Sequence, residues 1–289
     1  MELASIDTIR YVCDKYGFSF SKDLGQNFLI DPKIPNAIAD GANAAGKCVL
    51  EVGPGIGTLT ACLARRAEAV CALELDRRLF PVLEETLAPY ANADYVPGDV
   101  LKTDIVSLAD EKFGSGTPVC AVSNLPYCIT TQAILLLLGC GRFESVTVMI
   151  QKEAAKKLIV SPGDDEWCLF SALSAHRAKI TRLFNVSKGC FYPQPKVDST
   201  VLHMECFPKG TETEEETFEK IAKAVFARRR KTVRNALSAL GELGAEGSEK
   251  LICAAEIDPT RRGETLSVSE LERISGLMVQ TIQKEPVQK

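Results

Sequence analysis

The segment Val49-Leu50-Glu51-Val52-Gly53-Pro54-Gly55-Ile56-Gly57-Thr58 constrains the fold of this chain more than any other. A short apolar run, suited to a buried strand, enters a turn with glycine at every second position, and a helical pattern follows. Glycine adopts positive φ without penalty and lets the backbone approach a ligand closely. Strand, glycine turn and helix in this order open an α/β domain with a mainly parallel sheet. The chain agrees from about residue 47 to residue 206, where β-rich runs alternate with helical stretches. The candidate strands are Cys48–Val52, Ala69–Glu74, Ala93–Val96, Val119–Ser123, Ser145–Ile150, Ile180–Val186 and Thr200–Cys206. Seven strands fit one sheet. Only residues 187–199, with two prolines and a glycine, separate the last two, so an antiparallel pair with a long loop is expected there.

Beyond residue 206 the pattern becomes wholly helical. Residues 211–216 read as a polar linker, Thr213 with Glu216 has the spacing of a capping box, and apolar residues from Phe218 to Leu240 recur as on one continuous helix. Further helices are expected near Ser248–Ala255 and Ser267–Ile282, the latter capped by Ser267 or Ser269. The expected organisation is a Rossmann-like domain over residues 1–210 and a small all-helical domain over residues 211–289, in keeping with a length of 289 residues.

Composition removes several classes of function. The longest apolar run, Ala133–Leu138, falls far short of the ~20 residues a membrane span needs. Charged residues from Glu2 to Lys15 interrupt the N-terminus as a secretory signal would not allow, so a cytoplasmic location is expected. Eleven cysteines contain no C-x-x-C pair and many sit inside apolar runs such as Val70-Cys71-Ala72, which suits packed thiols and argues against a zinc site. With only His176 and His203 present, a Ser-His-Asp or Cys-His mechanism has little material. Net charge is −4, yet Lys220, Lys223, Arg228, Arg229, Arg230, Lys231 and Arg234 form a basic run without an acid. Such a run grips phosphates or complements the acidic helix start before it.

Glu74 stands seventeen residues beyond Gly57, at the end of the second strand, where an acid accepts hydrogen bonds from ribose hydroxyls. NAD and S-adenosylmethionine both use this architecture. Two features favour S-adenosylmethionine: the glycines are spaced G-x-G-x-G instead of G-x-G-x-x-G, and the fourth strand ends in Asn124-Leu125-Pro126-Tyr127. That tetrad can hold an exocyclic aromatic amine while a ring stacks on its base.

The chain resembles a known family on seven ordered motifs. They are Leu24-Gly25-Gln26-Asn27-Phe28-Leu29, Glu51-Val52-Gly53-Pro54-Gly55, Glu74-Leu75-Asp76, Gly98-Asp99, Asn124-Leu125-Pro126-Tyr127, Phe191-x-Pro193-x-Pro195-x-Val197-x-Ser199 and Arg229-Arg230-Lys231-Thr232-Val233-Arg234-Asn235. In this order, over about residues 20 to 240, they are similar to the KsgA-type rRNA adenine dimethyltransferases. The resemblance implies dimethylation of N6 on two adjacent adenines in the 3′-terminal hairpin of 16S rRNA, within the small ribosomal subunit or its precursor. It implies S-adenosylmethionine as methyl donor and a monomeric enzyme without metal or membrane. Carried over, Asn27 and Leu29 would touch the methionine end of the cofactor, Gly53 and Gly55 would give close backbone approach, Glu74 would bind the ribose, and Asp99 the adenine amine. Asn124, which would also touch the cofactor, and the backbone carbonyl of Leu125 or Pro126 would offer acceptors to the target amine, Tyr127 and Phe191 would sandwich the base, and Arg228, Arg229, Arg230, Lys231 and Arg234 would hold RNA. Two residues also have simpler roles open to them: Asn27 as an N-cap and Asp99 as a turn residue. An Erm-type enzyme acting on 23S rRNA and an assembly factor acting mainly by binding are the alternatives. Two places depart from the family pattern: Trp167-Cys168-Leu169-Phe170-Ser171, where relatives have Tyr-Gly-x-Leu-Ser, and Asp23, in a stretch often basic elsewhere.

Overall fold

A computed structural model describes residues 2–21, 24–228, 231–241 and 243–284. The chain divides into two compact units, Met1–Ala155 with Ala178–Phe207, and Lys156–Arg177 with Pro208–Lys289. The expected single boundary at residue 210 therefore misses an excursion: residues 156–177 leave the sheet-bearing unit and pack with the C-terminal helices.

In the first unit the strands are β1 (Phe28–Leu29), β2 (Cys48–Val52), β3 (Ala69–Glu74), β4 (Ala93–Pro97), β5 (Val119–Asn124), β6 (Ser145–Gln151), β7 (Ala178–Val186), β8 (Phe191–Tyr192) and β9 (Ser199–Cys206). Among the described residues seven of them form one sheet in the order β4-β3-β2-β5-β6-β9-β7, and β1 pairs with β8. The strands from β4 to β6 run parallel, and β9 lies antiparallel between β6 and β7. All five residues of β2 are buried, as are the first five of β5. Helices on both faces leave no polar side for these strands, which is why they read as unbroken apolar runs. The expected antiparallel pair is present as β7 and β9, with a bulge between Arg182 and Phe184. No cysteine among the described residues takes part in a disulfide, and no helix among them is long and apolar enough to cross a membrane.

The second unit is helical. The polar stretch expected as a linker is instead the first turn of helix Glu212–Ala227: Thr211, not Thr213, is the cap, and its hydroxyl and the Glu214 carboxylate complete a capping box. Phe218, Ile221 and Val225 on this helix are fully buried, as are Leu271 and Ile274 on helix Val268–Lys284. Ser267 caps the latter, accepting the Glu270 N–H at 3.2 Å. The single continuous basic helix does not form. Helix Glu212–Ala227 ends at Arg228 (φ −130°), and a new helix, Val233–Ser238, starts after its cap Thr232. The segment that departs from the family pattern builds the core here: Trp167 is 3% exposed and meets the Phe226 ring edge-on at 6.2 Å. Asp23 lies outside the described residues.

Candidate active site

The structure brings the candidate residues of the first unit to the walls of one cleft at the carboxyl edge of the parallel strands, where open α/β sheets bind ligands. Its volume is about 1050 Å³ with the solvent at its mouth included. The turn leaving β2 forms the floor. Gly53 holds φ at +71°, and a Cβ there would meet nothing within 4 Å, so its backbone borders open cleft. A Cβ on Gly55 would come within 2.9 Å of the Phe28 ring, which packs down on the turn.

β3 delivers Glu74. Its Oε1 accepts the Asp76 N–H at 2.7 Å and its Oε2 the Gly55 N–H at 3.2 Å, so one carboxylate ties the end of β3 to the glycine turn. Burial pushes its pKa up, against the pull of these N–H groups. Asp76 is buried as well, and the Arg78 guanidinium, outweighing burial and aided by Gln26, holds its carboxyl below the usual range. Gln26 donates to Asp76 at 2.8 Å and accepts the Ser21 N–H at 2.9 Å, which fastens the segment before β1 to the end of β3. Asn27 does not cap a helix: its Nδ2 bonds the Gly25 carbonyl at 2.9 Å. Leu29 is buried and pairs with Phe191 across β1 and β8. Asp99 does serve a turn through Oδ1, which accepts the Leu101 N–H at 3.0 Å, while Oδ2 lies 3.6 Å from Lys102.

β5 ends in Asn124. Its Nδ2 donates to the Asn27 carbonyl at 3.4 Å, so Oδ1 is the end of the amide that can accept from a ligand. The two backbone carbonyls expected as acceptors are not equivalent. That of Pro126 already accepts the Ile129 N–H at 3.3 Å and the Thr130 hydroxyl at 3.2 Å, which occupies both lone pairs. Of these two carbonyls, that of Leu125 is thus the one left for a ligand. Tyr127 is half-buried, and its hydroxyl meets the Ser199 hydroxyl at 3.0 Å. Burial pushes the Tyr127 pKa up, and the bond to Ser199 opposes it. Phe191 lines the same cleft from β8, although it is only 3% exposed.

Sequence reasoning missed four residues. Leu75 and Val100, each following a motif acid, line the cleft, and Leu75 is 52% exposed although apolar. Ser199, fully buried, orients Tyr127. Glu51 is 1% exposed, lines the cleft, and has no hydrogen-bond partner on Oε2; the Thr58 hydroxyl nearby in sequence is buried without a partner too. An acid inside an otherwise apolar strand was the available signal. On the expectation from sequence of an S-adenosylmethionine-dependent methyltransferase, Ser199→Ala should leave cofactor affinity unchanged in calorimetry but slow turnover by roughly 3- to 10-fold, since a lost hydrogen bond is worth about 1 kcal/mol. An unchanged rate would show that Tyr127 needs no anchor.

Of the basic residues in the second unit, Arg228 and Lys231 are exposed where one helix gives way to the next. Arg234 is also exposed but pairs with Glu249 at 3.0 Å. Arg229 and Arg230 lie outside the described residues.

Residues 17–273 match the family model described as ribosomal RNA adenine dimethylase. A protein of Alkaliphilus oremlandii named ribosomal RNA small subunit methyltransferase A is 42% identical over 274 residues, 93% of this chain and 95% of its own. One of the same name from Bacillus cereus is 40% identical over 287 residues, 96% of this chain and 98% of its own. Among solved structures, the 23S rRNA methyltransferase ErmE superposes with a TM-score of 0.67 at 26% identity, over 86% of this chain and 98% of its own. A dimethyladenosine transferase from Plasmodium falciparum reaches 0.71 at 22% identity over 89% and 98%, a likeness of fold.

Proposed function

This chain belongs to the ribosomal RNA adenine dimethylase family, and from that premise we propose that it transfers methyl groups from S-adenosylmethionine to N6 of two adjacent adenines near the 3′ end of small-subunit rRNA. The observation that carries this reading is the meeting, in one cleft, of the glycine turn, the Glu74 carboxylate and the acceptor turn Asn124–Tyr127. The small subunit is favoured over 23S rRNA because relatives named for it are 40 to 42% identical, against 26% for ErmE. The protein would act in the cytoplasm as a monomer.

The cleft suits the cofactor on two grounds. The space a Gly53 Cβ would enter is there for a ligand to fill, and Glu51 Oε2, buried on the same wall, lacks a hydrogen-bond partner that a bound ligand could supply. Glu74 would accept from the ribose hydroxyls, Asp99 Oδ2 would face the adenine amine, and the exposed Leu75 with Val100 would cover the flat faces of that ring. Asn27 and Leu29 would flank the methionine end. When bound, S-adenosylmethionine supplies an electrophilic methyl on a sulfonium.

The chain's own task is to make adenine N6 a nucleophile, because the nitrogen's lone pair is delocalised into the ring. Asn124 Oδ1 and the Leu125 carbonyl would each accept one N6 proton, drawing the nitrogen toward a pyramidal shape and freeing the pair for in-line attack. The new N–C bond would form as the donor's C–S bond breaks, and the methylated, now acidic nitrogen would pass a proton to water. No strong base is required. Tyr127 and Phe191 would enclose the turned-out base, each stacking contact contributing about 1–3 kcal/mol. Arg228 and Lys231, with Arg229 and Arg230, would hold phosphates, and Arg234 would contribute less because Glu249 already neutralises it.

Glu74→Ala is expected to weaken S-adenosylmethionine binding about 10-fold or more, a hydrogen bond to a charged group being worth about 1.5–3 kcal/mol. Unchanged affinity by calorimetry would remove Glu74 from the site. The reading as a whole is tested by offering the protein unmethylated small and large subunits with labelled cofactor and mapping the label. Label on two adjacent adenines near the 3′ end of the small-subunit rRNA is expected; label confined to the large subunit, or absent, overturns it.

A further inference from the structure

The rim of the cleft carries an aromatic surface that the mechanism does not use. Side chains alternate along a strand, so β8 turns Phe191 into the cleft and its neighbour Tyr192 away from it; Phe191 is 3% exposed and Tyr192 38%. Tyr192 sits opposite Phe28 in the β1–β8 pair, and the Phe20 ring supports it edge-on at 5.6 Å. Phe20 rests in turn on Phe28 at 5.4 Å, and Phe28 lines the cleft. A ladder of rings thus runs from the cleft wall to the surface and holds Tyr192 in place with one side in solvent. The same loop exposes Val197 and two lysines, Lys188 and Lys196.

A base that leaves its stack to enter an enzyme pocket also strips a stacking partner from the nucleotide beside it. That neighbour lies just outside the pocket and presents a bare ring with a phosphate on either side. An exposed, rigidly backed aromatic on a loop with exposed lysines matches that chemistry, since ring stacking with backbone cations is how single strands are held. Resting on the reading of the cleft as an adenine pocket in RNA, we propose that Tyr192 is a stacking platform for the nucleotide adjacent to the target adenine, with Lys188 and Lys196 near its phosphates. In a substrate with two adjacent target adenines, this platform would hold one while the other reacts.

The test uses the full-length protein, unmethylated small subunits and labelled S-adenosylmethionine. Tyr192→Ala should lower kcat/KM for subunits about 10-fold, and Tyr192→Leu, which keeps an apolar cover over Phe20, should lose nearly as much. Tyr192→Phe should stay within about 2-fold of wild type. S-adenosylmethionine affinity should be the same in all four proteins. Wild-type kcat/KM in Tyr192→Leu overturns the platform, as does an equal loss in Tyr192→Phe or a matching loss of cofactor affinity. A wild-type protein that leaves small subunits unmethylated refutes the underlying reading instead.

Discussion

Asn124→Ala is expected to slow single-turnover methyl transfer by about 10²-fold or more, with subunit binding unchanged. The magnitude follows from the comparable loss of one preorganised group in an oxyanion hole, where a fixed dipole faces charge that develops only in the transition state. In this cleft the fixed dipole is Oδ1, because the other end of the amide is engaged with the Asn27 carbonyl at 3.4 Å. That bond is long, so its loss in the variant should disturb the segment around β1 little. Asn124→Asp supplies the contrast: it keeps an acceptor for N6 but gives up the donor to Asn27, and it should retain more activity than the alanine variant. Rapid-quench measurements at saturating cofactor and subunit isolate the chemical step. A near wild-type rate in Asn124→Ala would end the role assigned to the amide and leave the Leu125 carbonyl as the acceptor to test.

The parts of this protein that could be read from sequence are those where burial is total or backbone geometry is unusual. β2 and β3 were placed to the residue because a parallel strand covered on both faces must be apolar at nearly every position. The glycine turn was legible because only glycine is comfortable at the φ of Gly53 and Gly55. Elsewhere two solutions shared one pattern. Thr211 with Glu214 and Thr213 with Glu216 have the same capping spacing, and only the former caps the helix. Phe226 and Val233 stand seven residues apart, two helical turns, so the apolar period runs in phase through the break at Arg228 and conceals it. The pairing of β1 with β8 involves two residues a side, too few for any period to show. Tertiary contacts alone determine that residues 156–177 join the second unit. In the site, residue types were readable but hydrogen-bond allegiance was not: residue type alone does not show that the Pro126 carbonyl is taken by Ile129 and Thr130, and nothing local reveals that Ser199 finds Tyr127 seventy-two positions away.

Glu51 should make the stability of the ligand-free protein depend on pH in a way that one substitution removes. Burial away from water raises its pKa from the ordinary 4.5 to about 8; the nearby Glu74 charge pushes the same way, and the Thr60 hydroxyl opposes less strongly. The folded state therefore keeps a proton on Glu51 across a window, about 4.5 to 8, in which the unfolded chain has released it. Where the folded state binds the extra proton, stability falls as pH rises, so the protein should be most favoured below the window and lose stability progressively up to its top. At 1.36 kcal/mol for each pKa unit, the loss attributable to Glu51 is on the order of 3–5 kcal/mol. Glu51→Gln keeps the size and polarity of the neutral acid and cannot ionise. Denaturant unfolding of both proteins at intervals from pH 5 to pH 8.5 should show the variant gaining on wild type by several kcal/mol across the series, with other titrating groups cancelling between the two. A constant difference would mean that Glu51 carries its charge in the folded protein throughout, and that a partner for Oε2 exists in solution.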